Sequence, residues 1–136
     1  PDATADEAAG KLTIVVRLGK RRAAIGYGIL MAFVYGTMAF GIALNFVSLY
    51  AMVAFTTLPL AVFAIHRAIE HHSNTPLLVP ANAATVLNHL LTGLYLTIAY
   101  VMDGLGLSLE IVLLVGLIML LVVLMQYRNL SRPPTP

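Results

Sequence analysis

Apolar residues run through this chain in long unbroken stretches, and the polar positions that punctuate them are few. Residues 23–66, 71–102 and 111–127 contain no Asp, Glu, Lys or Arg. The first stretch holds 44 residues. As a single helix it would measure about 66 Å, twice the thickness of a hydrocarbon core. It must therefore turn back once, and 45–48, opened by Asn45 and closed by Ser48, is the polar interruption near its middle. The pattern predicts an all-α, polytopic transmembrane helical bundle with four membrane spans, at 23–45, 47–66, 77–102 and 109–127. A segment 1–22 precedes them and a loose tail, 130–136, follows.

Local signals refine these elements. Thr75 followed by Pro76 suits an N-cap with proline at the first helical position. Ser108 is placed to cap the fourth span, with Glu110 favourable at its positive end. Asp103, Gly104 and Gly106 read as a turn. Pro59 and Pro80 are expected to bend the second and third spans. Gly28, Ala32 and Gly36, four apart, read as a face along which two helices approach closely in lipid.

Composition agrees with this pattern. Of 136 residues, 60% are apolar and 10% charged, and mean hydropathy is +0.89. Soluble domains run near 45–50% apolar and about 25% charged. A disordered chain, a nucleic-acid-binding module and an ordinary cytosolic enzyme are thereby excluded. The absence of cysteine removes disulfides, thiolate metal sites and cysteine nucleophiles. The net charge of +2 matters less than its placement. With four spans, Lys11, Arg17, Lys20, Arg21, Arg22, Arg67, Arg128 and Arg132 all fall on one side, and none lies at 45–48 or 103–108. The positive-inside rule makes that side cytoplasmic, so the N-terminal segment and the C-terminus are expected there, in a cell membrane.

Candidate chemistry concentrates in residues 1–22. An alanine-rich start favours a short helix, and Gly10 is a natural stop. Asp2 and Asp6, four apart, would project from one face of that helix. Two such carboxylates repel each other unless they are solvated or bridged by a hard divalent cation. Mg²⁺ takes one or two carboxylates, keeps several waters and completes its shell with substrate phosphates. Lys11 and Arg17 are cations suited to the remaining phosphate oxygens. The spacing alone fits a solvated helix face better than a metal site.

The string from Pro1 to Gly19, directly before a transmembrane helix, resembles the second aspartate-rich motif of the UbiA superfamily of intramembrane prenyltransferases. Asp2, Asp6, Gly10, Lys11 and Thr13 match its core, and Val16 to Gly19 look like the MenA-like, quinone-biosynthesis branch. Residues 78–93, from Leu78-Val79-Pro80 to Thr92-Gly93, resemble a late helix of that branch. Ala3, Thr4 and Glu7 stand where the branch usually has an aromatic residue, an acid and a base.

The resemblance implies a Mg²⁺-dependent transfer of a polyprenyl group from its diphosphate to an aromatic acceptor. It makes Asp2 and Asp6 metal ligands, and Lys11 and Arg17 contacts to the diphosphate, with no catalytic residue assigned. It also implies a missing N-terminal half carrying the first aspartate-rich motif. The fragment by itself is expected to be inactive. The alternative is a non-catalytic small membrane subunit or scaffold.

Two further polar groups are candidates. On the third span Asn82, Thr85, His89 and Thr92 are spaced to share a face, and Asn82, Asn88 and His89 are candidates to line a cavity; interhelical hydrogen bonding is the competing role. His66, Glu70, His71 and His72 cluster at the end of the second span. There His66 and Glu70, four apart, have metal-chelating spacing, and the set also suits a helix terminus.

Overall fold

The computed structural model describes residues 3–132, all of whose regular structure is helical. Two short helices, α1 (Ala3–Ala8) and α2 (Ile14–Leu18), precede α3 (Lys20–Ala43). A 3₁₀ segment (Leu49–Thr57) runs directly into α4 (Leu58–Glu70), and α5 (Thr75–Gly104) and α6 (Leu109–Ser131) follow. Four helical segments are long and apolar enough to cross a membrane, the 3₁₀ segment and α4 together forming the second.

The second span is the centre of the bundle. Val53, Ala54 and Leu60 pack with Tyr95, Ala99 and Met102 of α5 and with Val112, Met119 and Val123 of α6. Its change of helix type follows from its sequence. Pro59 has no N–H to give the Phe55 carbonyl, and the tighter bond from the Leu58 N–H takes that carbonyl instead. Thr56 and Thr57 return their hydroxyls to the Val53 and Ala54 carbonyls, at 2.6 and 2.7 Å. Pro59 thus stands in the first turn of α4, where its missing donor leaves no gap, and the bend expected there takes the form of a 3₁₀-to-α junction. At about 2.0 Å per residue, a 3₁₀ stretch also lets a 22-residue span reach about 37 Å.

Helix ends follow the chain's turn chemistry with one shift. The N-cap of α5 is Asn74, one residue before the expected Thr75, and its side chain accepts from the Leu77 N–H at 3.3 Å. Asparagine is the stronger cap, and the shift leaves Pro76 inside the first turn. Ser108 has extended backbone at the start of α6 but makes no side-chain capping bond. Asn45 adopts a left-handed φ of 58° where α3 turns back, and Phe46 and Val47 both donate to the Gly41 carbonyl. Gly19, φ 80°, lets α2 and α3 meet at a corner without an intervening loop.

Only part of the small-residue stripe on α3 packs. A methyl group at Gly28 would come within 3.1 Å of Ile65 Cγ2 on α4, whereas one at Gly36 would meet nothing within 4 Å, and Ala32 is exposed. Four-residue steps advance about 40° beyond a full turn, so the stripe rotates off the contact. The face that does pack runs through Tyr27, Met31, Tyr35, Met38 and Gly41. Gly28→Leu should therefore lower stability by about 1–3 kcal/mol through overpacking against Ile65, while Gly36→Leu should leave it nearly unchanged; thermal unfolding of both variants in detergent measures the contrast.

Candidate functional site

At one end of the bundle the N-terminal segment meets α3 and the α4–α5 connection. The Lys11 N–H donates to the Asp6 carbonyl at 2.8 Å, closing α1 through Gly10, whose φ is 71°. This turn brings the Lys11 ammonium to 3.7 Å from Asp6 Oδ1, and the Asp6 side chain is only 24% exposed. Lys20 Nζ donates to Thr4 Oγ1 at 3.0 Å, tying α1 to the first residue of α3. Thr13 caps α2 by accepting from the Val16 N–H. Arg17 is exposed in the last turn of α2 and meets no carboxylate among the described residues. Asp2 lies outside the described residues, so the Asp2–Asp6 pair is represented here by Asp6.

Beside this segment is a cleft of about 160 Å³, with Lys20 and His72 at its polar edge and Val15, Ala23, Ala68 and Leu78 along its apolar wall. It joins a polar head region to the gap between helices. As a donor, Asp6 offers a hard carboxylate, an oxygen ligand of the kind Mg²⁺ takes rather than a softer metal. No group of three His, Asp or Glu side chains is assembled for a metal among the described residues.

The histidine cluster is instead knitted to the end of α4. Glu70 Oε2 approaches His66 Nδ1 at 3.3 Å, and Arg67 Nη1 lies 2.9 Å from His71 Nε2. Guanidinium has no acceptor, so His71 Nε2 must accept this bond; the 3.5 Å approach of Glu70 to the same nitrogen is then a contact without a proton. Arg67 also lies over the Phe63 ring, 5.6 Å from its centroid. His72 Nδ1 is 2.9 Å from the Ile69 carbonyl. These side chains serve a helix terminus.

The polar residues of α5 divide between two faces. Asn88 is 4% exposed and its Oδ1 lies 2.9 Å from the Tyr35 hydroxyl. Thr85 meets the Tyr27 hydroxyl at 2.7 Å, and Thr92 meets Thr57 at 2.9 Å. Asn82 and His89 are exposed and make no hydrogen bond among the described residues. The i, i+3, i+4 spacing fans residues over about 80° of the helix circumference. Thr85 and Thr92 consequently edge inward, and Asn82 and His89 stay outside.

Sequence reasoning missed the centre of this network, Tyr35 and Thr57. Tyr35 is 7% exposed and Thr57 fully buried, their hydroxyl oxygens 2.7 Å apart. The available signal was the i, i+4, i+3 run from Met31 to Tyr35 to Met38. Thr57 gives its proton to the Ala54 carbonyl and shares hydrogen bonds with the Thr92 and Tyr35 hydroxyls. The Tyr35 hydroxyl donates to Asn88 Oδ1 at 2.9 Å and shares its 2.7 Å bond with Thr57, so one hydroxyl joins α3 to both the second span and α5.

Tyr35→Phe should cost about 1–3 kcal/mol, because it strips a partner from two buried polar groups at once. Tyr127→Phe, which keeps the ring that stacks edge-on to Phe63 at 5.4 Å, should cost under about 0.5 kcal/mol. Thermal unfolding in detergent separates the two. Compared with protein-family models, curated proteins and solved structures, the chain finds no match.

Proposed function

We propose that this chain is the C-terminal portion of a UbiA-type membrane prenyltransferase, moving a polyprenyl group from its diphosphate to an aromatic, quinone-precursor-like acceptor. The observation that carries the reading is the run of Asp2, Asp6, Gly10, Lys11 and Thr13 with Asp6 and Lys11 held 3.7 Å apart at the polar end of an apolar bundle. An amphiphilic substrate needs such a place: charge fixed at the interface, with apolar wall leading inward. The cleft bordered by Lys20, Val15 and Leu78 has both.

In this reading Asp2 and Asp6 would hold Mg²⁺, which when bound would supply positive charge to a departing diphosphate. Lys11 neutralises and orients a second diphosphate oxygen, and Arg17, exposed in the last turn of α2, is a second cation offered to it. The allylic C–O bond breaks with its electron pair on the diphosphate. The acceptor's ring carbon bonds to the allylic carbon and then loses its proton. The chain's apolar helices keep water from the cationic carbon, since hydrolysis is the competing outcome. The first aspartate-rich motif would come from an N-terminal half, with the basic ends of the bundle on the cytoplasmic face.

In the complete protein, Asp6→Asn should reduce prenyl transfer on the order of 100-fold or more, equivalent to about 3 kcal/mol of transition-state stabilisation. Lys11→Ala should mainly raise the KM for the prenyl diphosphate. Labelled-prenyl transfer in native membranes reads both, and near-normal turnover of the Asp6 variant would remove it from the ligand set.

A further inference from the structure

Where α3 begins, the bundle carries three consecutive cations that meet no carboxylate among the described residues. Lys20, Arg21 and Arg22 line a pocket of about 440 Å³ with Leu18, His72 and Ser73, between the start of α3 and the α4–α5 connection. No Asp or Glu occurs from residue 8 to residue 69, and Glu70 is engaged with His66 and His71. Lys20 bonds to an uncharged partner, Thr4 Oγ1. Among the described residues neither arginine makes an ion pair or a side-chain hydrogen bond, and the Ser73 hydroxyl has no partner. Like charges crowded into one pocket repel one another, and an anion placed there relieves the repulsion.

The depth of the pocket selects what carries the anion. The run free of Asp, Glu, Lys and Arg starts at residue 23, so the three cations stand at headgroup level, where the span enters the membrane. Below Arg22 one side of α3 continues through Ile25, Ile29 and Phe33, all exposed. Their intervals of three, four and four residues keep the four positions within about 80° of the helix circumference. Fixed positive charge above an exposed apolar strip matches an amphiphile standing upright in one leaflet. Basic pockets between spans at a membrane surface are settings for acidic lipid headgroups.

We infer that this pocket binds the headgroup of an anionic phospholipid, its phosphodiester at Arg21, Arg22 and Ser73 and its acyl chains along Ile25, Ile29 and Phe33. A guanidinium presents parallel N–H groups to phosphate oxygens, and the serine hydroxyl adds another donor. Leu18, exposed in the same pocket, offers the glycerol backbone an apolar contact. A zwitterionic lipid would bring its own ammonium group up to three cations, which repel it. Net negative charge is therefore the property selected. A free phosphate gains the ion pairs but not the apolar strip, so the lipid is the better ligand. Arg21, Arg22 and Ser73 have no part in holding Mg²⁺ or the diphosphate, and the inference is independent of the prenyltransferase reading.

Native mass spectrometry of the complete protein in detergent, titrated with phosphatidylglycerol or phosphatidylcholine, reads the site directly. Phosphatidylglycerol should bind at least about tenfold more tightly than phosphatidylcholine. Both arginines are exposed, so glutamine in their place spares the packing, and circular dichroism checks that the helices persist. Arg21→Gln and Arg22→Gln should each weaken phosphatidylglycerol about fivefold, and together about thirtyfold, with phosphatidylcholine unchanged. Lysine at both positions should restore most of the binding. Arg128→Gln removes a cation from the last turn of α6, outside the pocket, and should change nothing. Equal affinity for the two lipids overturns the proposal, as does normal binding by the double variant or an equal loss in Arg128→Gln. Displacement by equimolar inorganic phosphate or geranyl diphosphate also overturns it, because the pocket then takes phosphate without regard to the lipid. So does the absence of any bound phosphatidylglycerol, the result expected if an acidic segment of the complete protein fills the pocket. None of these readouts requires turnover.

Discussion

Backbone and side-chain polar groups inside a bilayer have no water to fall back on, and the second span violates the simplest solution to that constraint. A continuous α-helix satisfies itself; the 3₁₀ segment Leu49–Thr57 ending at Pro59 does so less well. The repair is made by side chains from three spans. Thr57 closes on the Ala54 carbonyl beside the junction, and Tyr35 from α3 and Thr92 from α5 close on Thr57. The helix irregularity and the polar network are therefore one feature. Because the network needs oxygen atoms at fixed depth on α3, the second span and α5, it sets the vertical register of those helices. Leucine packing alone leaves that register loose.

The same junction explains why the centre of the bundle falls where it does. Residues on either side of it supply the deepest apolar contacts, from Val53 and Ala54 to Leu60. α3 makes the lighter contribution. It touches the core chiefly through Tyr35 and Gly41, the latter so close to Val47 that an added methyl would stand 2.8 Å from Cγ2. At the far end, the Tyr50 hydroxyl donates to the Leu107 carbonyl and joins the second span to the α5–α6 turn. Polar anchors at mid-depth and at one end, with apolar packing between, are enough to orient four helices that share little charge.

The four-helix, all-α architecture was legible because hydrophobic length and charge placement speak directly to membrane physics. Asn45 marks the turn after α3 and Gly106, with a φ of 63°, the turn after α5, whereas Asp103 and Gly104, expected in that turn, are the last residues of α5. Azimuth was much less legible. Gly28 and Gly36 look equivalent in the sequence, yet one faces Ile65 and the other faces outward; Asn82 and Asn88 divide in the same way. Spacing of three or four fixes a face only to within a fan of about 80°, and which part of the fan is inward depends on where the neighbouring helices stand. Tyr35 and Thr57 were hidden for a related reason. Tyrosine and threonine are ordinary residues in a span, and only the break at Pro59 makes their hydroxyls necessary.

The candidate chemistry sits at the opposite extreme of the molecule's physics. Asp6 and Lys11 gain their proximity from a backbone turn, the bond from the Lys11 N–H to the Asp6 carbonyl, and with Lys11 exposed and Asp6 partly covered their ion pair contributes at most about 1 kcal/mol to stability. A pair that adds so little to folding is free to exchange partners. A phosphate oxygen arriving at Lys11 and a hard cation arriving at Asp6 would each replace one half of the pair with a stronger, doubly charged counterpart, and neither half would be left unpaired. On the proposed reading, the 3.7 Å pair is what the two groups form when neither ligand is bound. The buried Tyr35–Thr57 network, in contrast, has no slack to exchange. The fold keeps its buried polar bonds at the centre and its more exposed ones at the rim.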